Sequence, residues 1–199
     1  MDQIFSWIYD VRDTRLQRKF LGMTFKNPVG LAAGFDKNAE VIKEFKNFGF
    51  SFIEIGTVTP LAQPGNPKPR SFRLVKDQAL INRMGFNNHG VNQAVKRIKN
   101  FDSRVIVGGN IGKNTETPND TALDDYVAAF NQIYDHVDYV VINLSCPNIK
   151  NLNELQDKDH TIRILDRLTA LRKEKLRRKP ILLKISPDLT TEQLDDAID

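Results

Sequence analysis

The stretch Tyr-Val-Val-Ile-Asn-Leu-Ser-Cys-Pro-Asn at 139–148 decides the fold class. Four apolar or β-favouring residues run without polar alternation, then give way abruptly to an amide, a hydroxyl, a thiol, a proline and a second amide. A continuous apolar run is expected of a parallel strand covered on both faces, and the polar break marks where it leaves the core. The same grammar recurs outward in both directions. Towards the N-terminus stand Arg-Val-Ile-Val-Gly-Gly-Asn-Ile at 104–111, Phe-Ile-Glu-Ile-Gly at 52–56 and Pro-Val-Gly-Leu-Ala-Ala at 28–33, and towards the C-terminus Ile-Leu-Leu-Lys-Ile-Ser at 181–186.

Helical periodicity fills the gaps. The spacing predicts helices over 38–48 (Val41, Ile42, Phe45, Phe48), 90–101 (Val91, Val95, Ile98, Phe101), 120–136 (Leu123, Val127, Phe130, Ile133, with Asp120 as cap) and 161–177 (Ile162, Leu165, Leu168, Leu171, Leu176). Repeated strand–helix units imply a parallel α/β fold with right-handed crossovers. The rhythm breaks at 60–88. Pro60, Pro64, Pro67 and Pro69 with Gly65 oppose regular structure, and Phe72–Val75 with Ala79–Ile81 could pair as a hairpin. An insertion of this length after a strand is more often functional than idle. Before Pro28 one short amphipathic helix is expected, with Ile4, Phe5, Ile8, Val11 and Leu16 sharing a face that packs on the core or lies on a membrane surface. Leu21–Phe25 is expected in a small strand pair over one barrel end. Periodicity alone leaves two architectures open, a five-stranded open sheet or the first part of an eight-fold barrel, which takes about 250 residues.

Composition narrows the classes. The chain has 199 residues, 29 Lys plus Arg against 25 Asp plus Glu, and 40% hydrophobic residues, an ordinary globular mixture. The net charge of +4 fits an anionic small ligand or membrane surface and does not demand nucleic acid. One cysteine excludes an internal disulfide and any cysteine-based structural zinc site. The start, MDQIFSWIYDVRD, is acidic and lacks a long apolar stretch, so no signal peptide and a reducing cytosolic compartment are expected. His89, His136 and His160 have no metal-ligand spacing; His89 could cap a helix and the other two are expected in solvent. Lys113 follows the glycines of GGNIGKN, but the spacing is short for a phosphate-binding loop and Asn114 stands where Ser or Thr is required. RKEKLRRK at 172–179 reads as a solvated helix end, with cations well placed at the C-terminus.

Chemistry concentrates at the carboxyl ends of the expected strands, where α/β barrels carry their active sites. These are AAGFDKN at 32–38, GTVTP at 56–60, NIGKN at 110–114, NLSCPN at 143–148 and LKISPD at 183–188. Asn is the recurrent residue. Its carboxamide offers two donors and two acceptors, which suits a planar ligand with alternating C=O and N–H groups, such as a pyrimidine or an isoalloxazine. Cys146 is either a small buried hydrophobe or a base or nucleophile whose thiolate nearby cations favour. Lys37 is either a solvated helix start or a cation for the ligand. Lys184, inside an apolar strand, calls for an anionic partner or a shifted pKa.

With these motifs in view, the chain resembles the quinone-dependent, membrane-associated dihydroorotate dehydrogenases over nearly all of residues 21–199. The words that carry the likeness are LGMTFKNPVGLAAGFDKN, IEIGTVTP, QPGNPKPRSFRL, INRMGFNN, NIGKN, NLSCPN and LKISPDL. The resemblance implies a TIM (β/α)8 barrel family fold, here about the first five strand–helix units, with residues 1–20 a short helical remnant of the membrane-associating region and 21–199 an incomplete FMN-binding barrel. It implies oxidation of dihydroorotate to orotate in pyrimidine (UMP) synthesis, FMN as cofactor, a quinone as electron acceptor and a peripheral place on the cytoplasmic side of the membrane. It places FMN contacts at Ala33, Lys37, Thr57, Asn110, Asn143 and Lys184. Substrate contacts fall at Lys37, Asn82, Arg83, Met84, Gly85, Phe86, Asn143 and Asn148, and the base at Cys146. Phe86 would add an apolar wall that excludes water.

Three departures accompany the resemblance. The quinone-dependent class typically has Ser as its base, whereas Cys146 matches the soluble classes that use fumarate or NAD. The N-terminal helical pair is reduced to about one helix, and three strand–helix units with their phosphate grip are absent. An N-terminal fragment of a longer enzyme is therefore expected, with weak flavin binding by the 199 residues alone; a non-catalytic half-barrel is the alternative from outside enzymes.

Overall fold

The computed structural model describes residues 2–101, 105–144 and 158–198. Five parallel strands form its centre: β3 (Gly30–Leu31), β4 (Phe52–Val58), β7 (Ile106–Ile111), β8 (Tyr139–Asn143) and β9 (Ile181–Lys184), adjacent in that order. Space follows sequence, as expected where each strand returns through a helix to lie beside its predecessor. The pairings place Ile53 beside Val107, Asn110 beside Val141 and Asn143 beside Lys184. β8 is buried along its whole length, which explains its unbroken apolar run.

α3 (Val91–Lys99) and α4 (Ala122–Ile133) bury Val91, Ala94, Val95 and Ile98 against Tyr126, Ala129, Phe130 and Ile133, and α5 (Lys158–Lys173) adds Ile164 and Leu168. The helices pack in sequence order, α3 on α4 and α4 on α5, with α4 also against β7. α6 (Thr191–Ile198) closes the chain. The helix expected at 38–48 is shorter than its periodicity suggests. α2 spans only Ile42–Phe45 and tightens into a 3-10 turn at Lys46–Phe48, which ends at Gly49 in the left-handed region (φ 82°). Asp36 accounts for the late start: its carboxylate accepts the amides of Glu40 and Val41, at 2.7 and 2.9 Å, holding the preceding residues as a loop. Asp120 is not a helix cap. It lies within a 3-10 turn, and Thr121 precedes α4 without a side-chain cap. The strand expected at 28–33 pairs only through Gly30 and Leu31.

Two antiparallel hairpins flank the sheet. β1 (Arg18–Phe20) and β2 (Met23–Phe25) turn through Leu21 and Gly22, so the pair takes in Arg18 as well as Phe25, and Phe25 meets Phe52 edge to face. β5 (Ser71–Leu74) and β6 (Ala79–Asn82) form the hairpin expected in the insertion. α1 (Asp2–Tyr9) docks differently from expectation. Phe5 and Tyr9, one turn apart, stack on Phe48 while staying partly exposed themselves; Ile4, Trp7 and Ile8, and Val11 beyond the helix, are more exposed still, Trp7 at 85%. Asp10 then ties the helix end down through Lys26 at 2.7 Å.

Candidate functional site

Strand ends bring a set of polar side chains together inside otherwise apolar surroundings. Thr57, Asn110 and Asn143, at the carboxyl ends of β4, β7 and β8, are all buried. Asn143 Nδ2 donates to Thr57 Oγ1 at 2.9 Å, and the Thr57 hydroxyl donates onward to Asn110 Oδ1 at 2.6 Å. Asn110 Nδ2 in turn donates to Glu54 at 2.8 Å, and the Tyr139 hydroxyl reaches the other Glu54 oxygen at 3.2 Å. Every donor in this chain points towards the Glu54 carboxylate. Burial, with the Glu54 charge second, pushes the Tyr139 phenol well above its ordinary range. From the helical layer, Tyr126 donates to the Asn143 carbonyl at 2.9 Å.

A second group surrounds this cluster. Gly34, just beyond Ala33, donates its amide to the Gly56 carbonyl at 2.8 Å, bringing the end of β3 against that of β4. Ala33 is half-buried there. Lys37, also half-buried, donates to Asn87 Oδ1 at 2.8 Å, which links the first strand end to the INRMGFNN segment. Gly85 and Phe86 of that segment are buried. A Cβ at Gly112 would stand 2.8 Å from the Phe86 ring and 2.9 Å from the Thr57 methyl, so only glycine lets these three elements close.

The exposed hairpin end lies apart from this group. Asn82 and Arg83 are exposed on the hairpin, and the Arg83 guanidinium turns back to the Pro69 carbonyl at 3.0 Å. Met84 is half-buried, its carbonyl held by the Asn66 amide. Lys184 lies in register with Asn143 at the end of β9 and is exposed among the described residues, where its apolar neighbours imply burial. Cys146 and Asn148 lie outside the described residues.

Lys113 is only 1% exposed and donates to the carbonyls of Thr117 and Asn114, at 2.7 and 3.2 Å. Burial lowers its pKa, while Asp125 and Glu116 oppose the shift. Its ammonium therefore serves its own loop, as its failed phosphate-loop spacing suggests. His89 does not cap a helix: Gly90 holds that place, and His89 Nδ1 faces Glu40 at 3.3 Å. His136 and His160 are half-buried rather than solvated.

Glu54, Tyr139 and Tyr126 are absent from the sequence expectations. The readable signal was the carboxylate within the apolar FIEIG run, since a charge in such a strand must be paired. The donor set itself suits a flavin or pyrimidine edge. Three adjacent strand ends present carboxamides and a hydroxyl, donors and acceptors alternating, beside glycine backbone that admits close approach. No helix among the described residues is long and apolar enough to cross a membrane.

Comparison with known proteins agrees with this architecture. The family model for dihydroorotate dehydrogenase matches residues 15–199. A relative from Christiangramia forsetii named dihydroorotate dehydrogenase (quinone) is 55% identical over 191 residues, covering 96% of this chain and 56% of that protein. One of the same name from Pseudoalteromonas atlantica is 51% identical over 185 residues, covering 91% and 55%. The solved structure of DHODH from Eimeria tenella in complex with ferulenol superposes with a TM-score of 0.87 at 38% identity, covering 98% of this chain and 61% of that one. The ligand-free form gives 0.88 at 39% identity, covering 100% and 64%. The chain spans about half the length of the curated relatives it matches. Its five parallel strands are the first units of a TIM-barrel family fold. On the full reach of that match, the chain belongs to the dihydroorotate dehydrogenase family.

Proposed function

We propose that the whole protein oxidises dihydroorotate to orotate in pyrimidine synthesis, with FMN as cofactor and a quinone as final electron acceptor. The observation that carries this reading is the Thr57–Asn110–Asn143 cluster at three adjacent strand ends. Ala33, Lys37, Thr57, Asn110, Asn143 and Lys184 would hold the flavin. When bound, FMN supplies an acceptor for the hydride that leaves C6 of the substrate. Cys146 takes the C5 proton as a thiolate, so that C5 and C6 become doubly bonded. A thiol with an ordinary pKa near ~8.5 is a competent base at neutral pH once cations favour its charged form.

Asn143, Asn148 and the Asn82–Phe86 segment orient the pyrimidine, and Lys37 balances its carboxylate. Phe86 excludes water, which strengthens each of these polar contacts. The relatives' names specify quinone, which supports that acceptor over fumarate or NAD although Cys146 is the base of the soluble classes. The division at residue 20 serves the same reading. Ile4, Trp7 and Ile8 of α1, with Val11 just beyond its end, are exposed, an apolar surface suited to peripheral contact with the cytoplasmic side of the membrane where a quinone resides.

The test is anaerobic reduction of the FMN-loaded whole protein by dihydroorotate. Cys146→Ala should abolish bleaching of the flavin, and Cys146→Ser should retain part of it with a displaced pH profile. Unimpaired bleaching in Cys146→Ala contradicts the assignment of the base.

A further inference from the structure

Gln63, on the loop after β4, ties two distant segments to its own through one carboxamide. Its Oε1 accepts from Asn114 Nδ2 and from the Thr115 amide, both at 2.9 Å. Its Nε2 donates to the carbonyls of Gly85 and Phe86, at 3.0 and 3.2 Å, and to Thr115 Oγ1 at 3.1 Å. The backbone adds a reciprocal pair with Asn88, each bond 3.0 Å. Both lone pairs and both N–H groups of the amide are thereby engaged.

What the donors hold is a backbone that resists its own conformation. Gly85 and Phe86 both have positive φ, 69° and 52°. Glycine accepts this freely, but phenylalanine brings its Cβ against the backbone there. Such residues persist where the surroundings over-determine them. At Phe86 the determinants are Gln63 Nε2, Asn88 Nδ2 on the same carbonyl at 2.7 Å, and the ring seated over Gly112. At Gly85 an added Cβ would lie 2.7 Å from Asn66 Cγ, so the turn is also closed on its outer side.

We propose that Gln63 is a positioning residue: its amide acts as a directional staple, anchored by its acceptors to the β7 loop and holding Gly85–Phe86 through its donors. Resting on the reading of 82–86 as the substrate side, the staple sets where dihydroorotate sits relative to the strand ends. Asn114 shows the same division of labour. Its carboxamide accepts from the Leu61 amide at 3.1 Å and donates to Thr59, Leu61 and Gln63, so it serves the scaffold.

Gln63→Glu tests the directionality. The near-isosteric carboxylate still accepts from Asn114 and the Thr115 amide, but offers no donor to Gly85 and Phe86. Hydrogen exchange at neutral pH should speed up about tenfold or more at the Asn66 amide, bonded to the Met84 carbonyl, and at the Asn88 amide, bonded to the residue 63 carbonyl. The Thr115 amide should keep its protection. Lowering the pH through the carboxylate range returns an O–H donor and should restore the ratio to native part of the way, which general loosening would not do. Equal acceleration at Thr115, unchanged rates at Asn66 and Asn88, or no recovery at low pH overturns the proposal. If Gln63→Glu fails to fold, Gln63→Met should free all three amides, and unchanged rates there overturn it equally. Orotate affinity of the FMN-loaded whole protein, read in parallel, should weaken in Gln63→Glu with flavin content unchanged. Unchanged affinity despite a freed loop removes the substrate role. A native protein that binds no orotate defeats the dihydroorotate reading alone, while the exchange rates still decide the staple.

Discussion

The hydroxyl of Thr57 and the carboxamide of Asn110 meet at 2.6 Å across the β4–β7 boundary. The hydroxyl also accepts from Asn143, so Thr57→Val would take one hydrogen bond from each of two buried partners at once. Removing one partner of a buried polar group costs about 1–3 kcal/mol. Urea unfolding should show a loss of that order for Thr57→Val and most of it regained in Thr57→Ser. Native stability in the Val variant would mean that the bond contributes nothing.

Tyr139 gives the site a pH signature. Its phenol is held protonated by burial and by Glu54, above the ordinary 10.0. A raised acid binds more protons in the folded than in the unfolded chain once pH exceeds that ordinary value, so stability should fall as pH rises beyond about 10. The fall should be shallower in Tyr139→Phe. In Glu54→Gln the phenol should titrate lower but still above the ordinary range, because burial, the larger cause, remains. Ultraviolet titration of the phenolate, with Tyr139→Phe as reference, reads both effects.

Much of the fold was legible because the strands obey one rule. Val140, Val141 and Ile142 are apolar in sequence and buried in space, and the polar Asn143 after them ends the strand. Lys184 escaped that rule. Its apolar neighbours imply burial, but exposure depends on whether another strand lies beside it, which the local pattern does not encode. The length of α2 was hidden for a similar reason, since Asp36 competes for the backbone amides that a longer helix would need. At the site, the Asn residues were readable as a class but not by role. Asn110 and Asn143 join the strand-end cluster, whereas Asn88 and Asn114 bond the loop that follows β4, a distinction made by partners far away in sequence.

The N-terminal helix carries its own switch. Lys26, hydrogen-bonded at 2.7 Å, holds the Asp10 carboxyl below its ordinary value despite an opposing effect of burial. A depressed carboxylate stabilises the docked helix above its unfolded pKa of 3.8 and loses that effect as pH falls through the lower folded value. Trp7, the only tryptophan, rides on this helix. Its fluorescence anisotropy should drop over that acid range and should be low already at neutral pH in Asp10→Asn. A variant with native anisotropy at neutral pH would remove Asp10 from the docking.

Gly112→Ala probes the closure over the cluster. The added methyl would sit 2.8 Å from the Phe86 ring and 2.9 Å from the Thr57 methyl. Overpacking of this kind costs about 1–3 kcal/mol, and relief by moving the ring would open the site to water. Thermal unfolding should record the loss, and Gly112→Ala with Phe86→Leu should recover part of it.

The most direct measurement is a single anaerobic turnover: dihydroorotate mixed with the FMN-loaded whole protein, followed by flavin absorbance and by orotate release. One orotate formed for each flavin bleached, abolished in Cys146→Ala, is the predicted result. A flavin that stays yellow in the native protein, or orotate formed as readily without Cys146, would contradict the account.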